Sequence, residues 1–180
     1  MGMFFNTQLD SLEDLLLLEL SDLYDGEKRL CVALPKMADA ASSPVLKQAF
    51  QRHVQETERQ VSRLEQIFVD LGKPANRETC DAMKGLIKEG SEIIDATGSP
   101  EVKDAALISA AQRVEHYEMA GYGSARTFAQ QLGHSNVARL LQMTLDEEKE
   151  TDKQLTCLAE ESISVKVGST AGISTGTWEA

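Results

Sequence analysis

Very little in this chain can staple, stack or cradle a phosphate. Three cysteines, Cys31, Cys80 and Cys157, are scattered through 180 residues. With no C-x-x-C spacing they make neither a disulfide framework nor a zinc ribbon, and single thiols in a reducing cytoplasm are expected. Aromatic side chains are scarce, at five Phe, three Tyr and one Trp. The core must then come from Leu, Ala, Val, Ile and Met, a composition that favours helices over a sheet. Basic residues are in deficit, 18 against 29 acidic, for a formal charge of −11. Nucleic acids and anionic membrane surfaces are both held by clustered Lys and Arg, so neither is an expected partner. No apolar run approaches the ~20 residues of a membrane span. Residues 1–10 lack the basic and apolar regions of a secretory signal, and Asn6 stands where a myristoylation pattern wants Ser or Thr, so a cytoplasmic location is expected. There is no Gly-rich phosphate loop, and no Ser-His-Asp or Cys-His arrangement with a supporting context.

What is present is helical periodicity, in four long segments. The first spans about 9–41, with Leu12, Leu16, Leu20, Leu23, Tyr24, Leu30, Leu34 and Met37 on one face. Pro35 should kink or interrupt it near its end. The second spans 43–71, opened by Ser43 and Pro44 and closed by Gly72 with Pro74 beyond. The third opens at Ser99-Pro100 and closes at Gly133, and the fourth runs from 135 to about 162. A shorter amphipathic piece, 80–96, lies in the 28-residue stretch 73–100 between the second and third helices. Short joins make antiparallel neighbours, and the long central join lets the second and third helices run parallel. That is an all-α four-helix bundle with one crossover, the topology of ferritin-like folds. The Gly/Ser/Thr-rich residues 164–180, with the lone Trp178, lack periodicity and are expected to form a flexible tail behind a bundle domain of 1–163.

Each long helix carries polar side chains in the middle of its apolar stripe: Glu27 in the first, His53, Thr57 and Gln60 in the second, Glu115 and Glu118 in the third, Thr144 and Glu148 in the fourth. The helix midpoints fall near 25, 57, 116 and 148. At ~1.5 Å per residue the acids therefore reach about one level. Residues three or four apart share a face, which pairs His53 with Glu56, Glu115 with Glu118, and Glu148 with Asp152. Taken singly, any such pair reads as a solvated, ion-paired face with Arg29, Arg52, Arg59, Arg113 or Lys149, and His53 as a hydrogen-bonded core histidine. Their coincidence at one level reads differently. Six carboxylates in a bundle interior cannot all ionise without cations, and two multivalent ions resolve the conflict. Oxygen donors with an imidazole suit Fe or Mn, and also Zn. His116 lies off this face and His134 sits in a turn, where capping is its expected role. Tyr24 and Tyr122 read as core aromatics with a wet hydroxyl, or as hydrogen-bond donors to Glu27 and Glu118. Gly26, Gly121 and Gly123 fall inside helices, at ~1 kcal/mol each, where close helix approach or small-molecule access would justify them.

The segments LSDLYDGEKRL (20–30), ALPKM (33–37), HVQET (53–57), VEHYEMAGY (114–122) and TLDEEKETD (144–152) together resemble the bacterial YciE/YciF family. The likeness covers about 9–162. It implies a ferritin-like bundle, a stress association, a cytoplasmic homodimer and, through the wider group of rubrerythrins, ferritins and manganese catalases, a dinuclear metal site. By position Glu27 matches the first-helix ligand, Glu115 and Glu118 the Glu-x-x-Glu of a rubrerythrin third helix, and Glu148 the fourth-helix ligand. The chain departs from the pattern in lacking any Glu-x-x-His: the second helix has His53-x-x-Glu56, and Thr151 stands where the fourth-helix His is expected, with Asp152 beside it. One metal then has an all-oxygen or water-completed shell, which weighs against ferroxidase or catalase turnover more than against binding.

The expected site comprises Glu27, His53, Glu56, Glu115, Glu118, Glu148 and Asp152 around two metal ions, iron or manganese. Glu27 and Glu118 are terminal or bridging ligands, Glu56 and Glu148 candidate bridges, and His53 the nitrogen ligand. Electrons would come from an external reductant or protein partner, since no rubredoxin-like C-x-x-C module is present. The other reading is a non-catalytic structural or interaction protein that kept the bundle without turnover.

Overall fold

The computed structural model describes residues 9–160, and every regular element among them is helical: α1 (Leu12–Ala40), α2 (Pro44–Asp70), α3 (Asp81–Asp95), α4 (Pro100–Gln131) and α5 (Ser135–Leu158). The expected tail at 164–180, Trp178 included, lies outside the described residues. Local chemistry sets the boundaries. Ser11, Ser43 and Ser99 cap α1, α2 and α4, each hydroxyl accepting a backbone N–H three residues on. Gly72 and Gly133 follow α2 and α4 with φ of 66° and 78°, a left-handed turn that an L side chain resists. Lys73 and His134 then donate back to the carbonyls of Phe68 and Ala129 at 2.9 Å each, closing the last turns.

Three sequence expectations need correction. α1 starts at Leu12, not Leu9, because Ser11 supplies its cap. Pro35 does not interrupt α1, which continues to Ala40. A mid-helix proline costs ~3 kcal/mol, but Leu34, Met37 and Ala38 on either side of it are buried in the core, and their packing holds the helix together. His134 occupies the N-cap position of α5 but makes no side-chain capping bond, because the turn is closed by its backbone N–H instead.

The core falls into two apolar clusters with a polar layer between them. Along α1 the residues Leu16 to Tyr24 belong to one cluster and Leu30 to Ala38 to the other. α2 passes the opposite way, from Leu46 and Phe50 in the second cluster to Val61, Leu64 and Ile67 in the first. α4 follows α2's direction and α5 follows α1's. Hence α1 and α2 are antiparallel, α2 and α4 parallel, and α4 and α5 antiparallel, the one-crossover order read from the sequence. Among the interior glycines Gly121 is the one that close approach explains: an added Cβ would sit 2.9 Å from Leu23 Cδ2.

Two buried aspartates fasten the connections. Asp25 accepts from Arg29 Nε and Arg77 Nε at 2.5 Å each and from the Cys80 N–H at 2.8 Å, which pins the crossover and the start of α3 to α1. Asp104 of α4 accepts the backbone N–H groups of Ser42 and Ser43 at 2.8 and 2.7 Å, holding the α1–α2 turn. Two donors lose a charged acceptor in Asp104→Ala, so urea unfolding should show a loss of about 2–4 kcal/mol. A midpoint unchanged from the parent would mean that this turn is held by something else.

Candidate metal centre

The layer between the two apolar clusters is built one helix at a time. Glu27 of α1, His53, Thr57 and Gln60 of α2, Glu115 and Glu118 of α4, and Thr144 and Glu148 of α5 are all buried, none above 3% exposure. One ligand atom each from His53, Glu115, Glu118 and Glu148 can be chosen so that all four lie within 4.8 Å of one another. Helical spacing produces this: Glu115 and Glu118 project from adjacent turns of α4, while His53 and Glu148 face them from α2 and α5. Glu27 adjoins the group from α1, where Tyr122 Oη donates to its Oε1 at 2.5 Å. Tyr122 is wholly buried, so its hydroxyl is not wet; it is a donor to Glu27 rather than to the nearer-in-sequence Glu118. Tyr24 instead donates to Glu65 at 2.8 Å, away from the centre.

The remaining two expected ligands stand at the margin. Glu56 is about one-third exposed, 3.8 Å from His53 Nδ1 and 3.9 Å from Arg59. Asp152 meets Gln112 Nε2 at 3.2 Å and His116 Nε2 at 3.3 Å. Neither belongs to the four-residue group.

Several contributors were not picked out as site residues from the sequence. Gln60 Nε2 donates to Glu148 Oε1 at 2.5 Å. Arg63 donates to Thr144 Oγ1 at 2.5 Å and reaches Glu147 with both terminal nitrogens, at 2.8 and 2.9 Å. The polar stripe had flagged Gln60 and Thr144 as interior. Arg63 carried no such signal, because a long cation three residues along reads as surface.

The electrostatics of the layer are severe. Burial, followed by the neighbouring carboxylates, pushes Glu27, Glu115 and Glu118 well above the usual range for glutamate. Burial also raises Glu148, although the facing His53 opposes the shift. Many polar atoms have no hydrogen-bond partner: both nitrogens of His53, both carboxylate oxygens of Glu118, one oxygen each of Glu27, Glu115 and Glu148, Thr57 Oγ1 and Gln60 Oε1. Ordinary folded interiors leave few such atoms. These orphans are oxygen and imidazole donors that converge on one place, and that donor set fits a borderline or hard divalent cation. Beside them a space of about 10 Å³ is bounded by His53, Glu56, Glu115 and Thr151, roughly the room for one water. Thr151, which stands where a fourth-helix His is expected, lines it.

An all-helical, one-crossover bundle with a carboxylate and imidazole layer at mid-height is a ferritin-like fold. The chain belongs to the family described as a domain of unknown function (DUF892), which matches residues 11–167. It is 46% identical over 159 residues to Protein YciF of Escherichia coli K12, covering 88% of this chain and 96% of that protein. It superposes on the crystal structure of the E. coli stress protein YciF with a TM-score of 0.82 at 48% identity, over 84% of this chain and 96% of that one. YcfI of Rhodopseudomonas palustris matches with a TM-score of 0.80 at 39% identity, over 86% and 98% of the two chains. No described helix is long and apolar enough to cross a membrane.

Proposed function

We propose that the chain is a ferritin-like protein that binds two metal ions, iron or manganese, and serves an oxidant- or stress-related role. The observation that carries this reading is the set of orphaned donors. A buried layer with four carboxylates, an imidazole and few internal partners is costly unless cations complete it. His53, Glu115, Glu118 and Glu148 would hold one ion. Glu27, with Glu118 and Glu148 as shared ligands, would hold the other. Glu56 and Asp152 would then act from the periphery, through His53 and His116. The pair of ions would supply one-electron chemistry toward peroxide or oxygen. The role of YciF as a stress protein supports the physiological half of the proposal, and the family likeness supports a homodimer, which sedimentation checks.

Metal analysis decides the matter. Protein purified without chelator and reconstituted with Fe or Mn should retain close to two equivalents. Anomalous-difference maps at the two absorption edges should place them among these residues. Less than about 0.2 equivalents with either metal would sink the proposal, since even one ordered site of this donor chemistry holds more.

A structural or interaction role without turnover is the second reading. Thr151 favours it, because a centre with a single imidazole lacks the second nitrogen ligand of the Glu-x-x-His pattern. It predicts little loss of stability in Glu27→Ala and Glu118→Ala, and no oxygen or peroxide consumption with either metal.

A further inference from the structure

A groove runs between α1, α3 and α4, on the far side of α1 and α4 from the metal centre. α3 lies along it: the Cys80 N–H anchors the start of α3 to Asp25, and near its end the Ile94 carbonyl accepts from Lys103 Nζ of α4 at 2.5 Å. The groove is partly open, with a volume of about 330 Å³, at the lower end of the ~300–1,000 Å³ usual for small-molecule sites. Its floor is apolar, formed by Leu30, Met37, Leu86, Ile87, Ile94 and Val114. Its rim is basic: Lys28, Arg29 and Lys36 from α1, Arg77 from the crossover, and Lys84 from α3.

None of the described lining residues is acidic, in a chain where acids outnumber bases 29 to 18. The local balance is positive as well. Lys28 is paired with Glu65 at 3.2 Å, but Arg29 and Arg77 share the single carboxylate of Asp25. Lys36 and Lys84 have no ion pair among the described residues. Gly90 is buried in the wall, and a Cβ placed there would meet nothing within 4 Å, so the space is open at that point.

We propose that this groove binds a single-chain anionic amphiphile, a fatty-acid-like monocarboxylate, with the chain on the apolar floor and the head group among the rim cations. An uncharged hydrocarbon would leave the surplus cations without a counter-charge. A cationic amphiphile would be repelled by the rim, and a polyanion without an apolar body would leave the floor wet. This site stands apart from the metal reading, because none of its residues belongs to the buried carboxylate layer.

The test is isothermal titration of the full chain with laurate below its micelle concentration. Saturable binding of one laurate per chain is expected, with no binding of dodecyltrimethylammonium. Gly90→Leu fills the groove with a residue that favours helix, so the fold is retained; a helical melting curve checks this. That variant should weaken laurate by about tenfold or more, and Lys36→Gln/Lys84→Gln by about tenfold, as loss of charge-assisted contacts implies. Any of four results would overturn the proposal: equal binding of the cationic amphiphile; variants that bind laurate like the parent; association only with phosphatidylglycerol vesicles and not with free laurate; or a dimer that binds no laurate and is dissociated by Gly90→Leu, which would make the groove a contact between copies of the chain.

Discussion

Loading the metal-free protein with Fe(II) or Mn(II) should raise its melting temperature by about 5–10 °C at pH 8. Ligand at a hundredfold excess over its dissociation constant adds ~2.7 kcal/mol, and each kcal/mol moves a domain of this size by roughly 2–4 °C. The physical source is the layer in which Glu27, Glu115, Glu118 and Glu148 meet His53. Without cations most of its donor atoms lack a hydrogen-bond partner. In the proposed metal-loaded form the same oxygens would become ligands. Glu118→Ala should abolish most of the rise, since both oxygens of Glu118 lack any other partner. A scan in which metal shifts parent and variant equally would place binding elsewhere on the acidic surface.

The pH dependence of that shift has a definite sign. Glu27, Glu115, Glu118 and Glu148 are held above the ordinary glutamate value of 4.5, first by burial. A group raised on folding contributes stability that is present below 4.5 and lost as the pH rises toward its folded value. The metal-free bundle should therefore weaken from mildly acidic toward alkaline pH. Asp25 acts in the opposite sense. Burial works to raise it, but Arg29, the Cys80 N–H and Arg77 outweigh burial and hold it below its ordinary 3.8. Its contribution is present above 3.8 and is lost as the pH falls further, so the metal-free optimum lies on the mildly acidic side of neutrality. Metal binding needs the carboxylates ionised and competes with protons. The melting shift should consequently be larger at pH 8 than at pH 5.5, and a shift that grows on acidification would contradict the assignment of these ligands.

The bundle was legible because helix period, Ser caps and Gly termini all pointed one way, and the 28-residue join left one topology that made sense. The middle of each stripe was legible too, since polar residues interrupted an otherwise apolar face at matched heights. Spacing put Glu56 and Asp152 with the inward group, and the structure holds them at its margin. Each shares a face with an inward residue on a straight projection, but a bundle buries only a narrow stripe of each helix. One residue further round, the side chain meets solvent and neighbours such as Arg59 or His116. Interruption at Pro35 failed for a related reason: a local penalty was outweighed by packing on both sides of it, which a window of sequence does not contain. The basic groove was hidden altogether. Its cations come from α1, the crossover and α3, and only the crossover's path along α1 gathers them in a chain whose overall charge is strongly negative.

Replacing Glu118 by Gln should stabilise the metal-free protein at pH 8, on the order of 1–4 kcal/mol, although it removes a proposed ligand. Glu118 is 1% exposed, neither of its oxygens has a hydrogen-bond partner, and Glu27, Glu148 and Glu115 crowd it with charge of its own sign. An amide keeps the volume and removes the charge, so the desolvation and repulsion terms fall together. Glu27→Gln should gain less, because the Glu27 carboxylate already accepts from Tyr122 and its loss breaks that bond. Exposed Glu150→Gln should change little and serves as the control. The ranking should invert once metal is present: Glu118→Gln loses the metal-dependent rise, while the parent gains it and becomes the more stable of the two. Urea denaturation of the three variants, each with chelator and with Mn(II), reads both halves. A Glu118→Gln protein less stable than the parent with chelator would mean that the carboxylate is already satisfied in the metal-free fold, and that the layer is a structural polar network rather than a set of metal ligands. If instead the inversion appears, the acids at mid-height are a cost the fold carries for the sake of the ions: the bundle alone would be more stable without them.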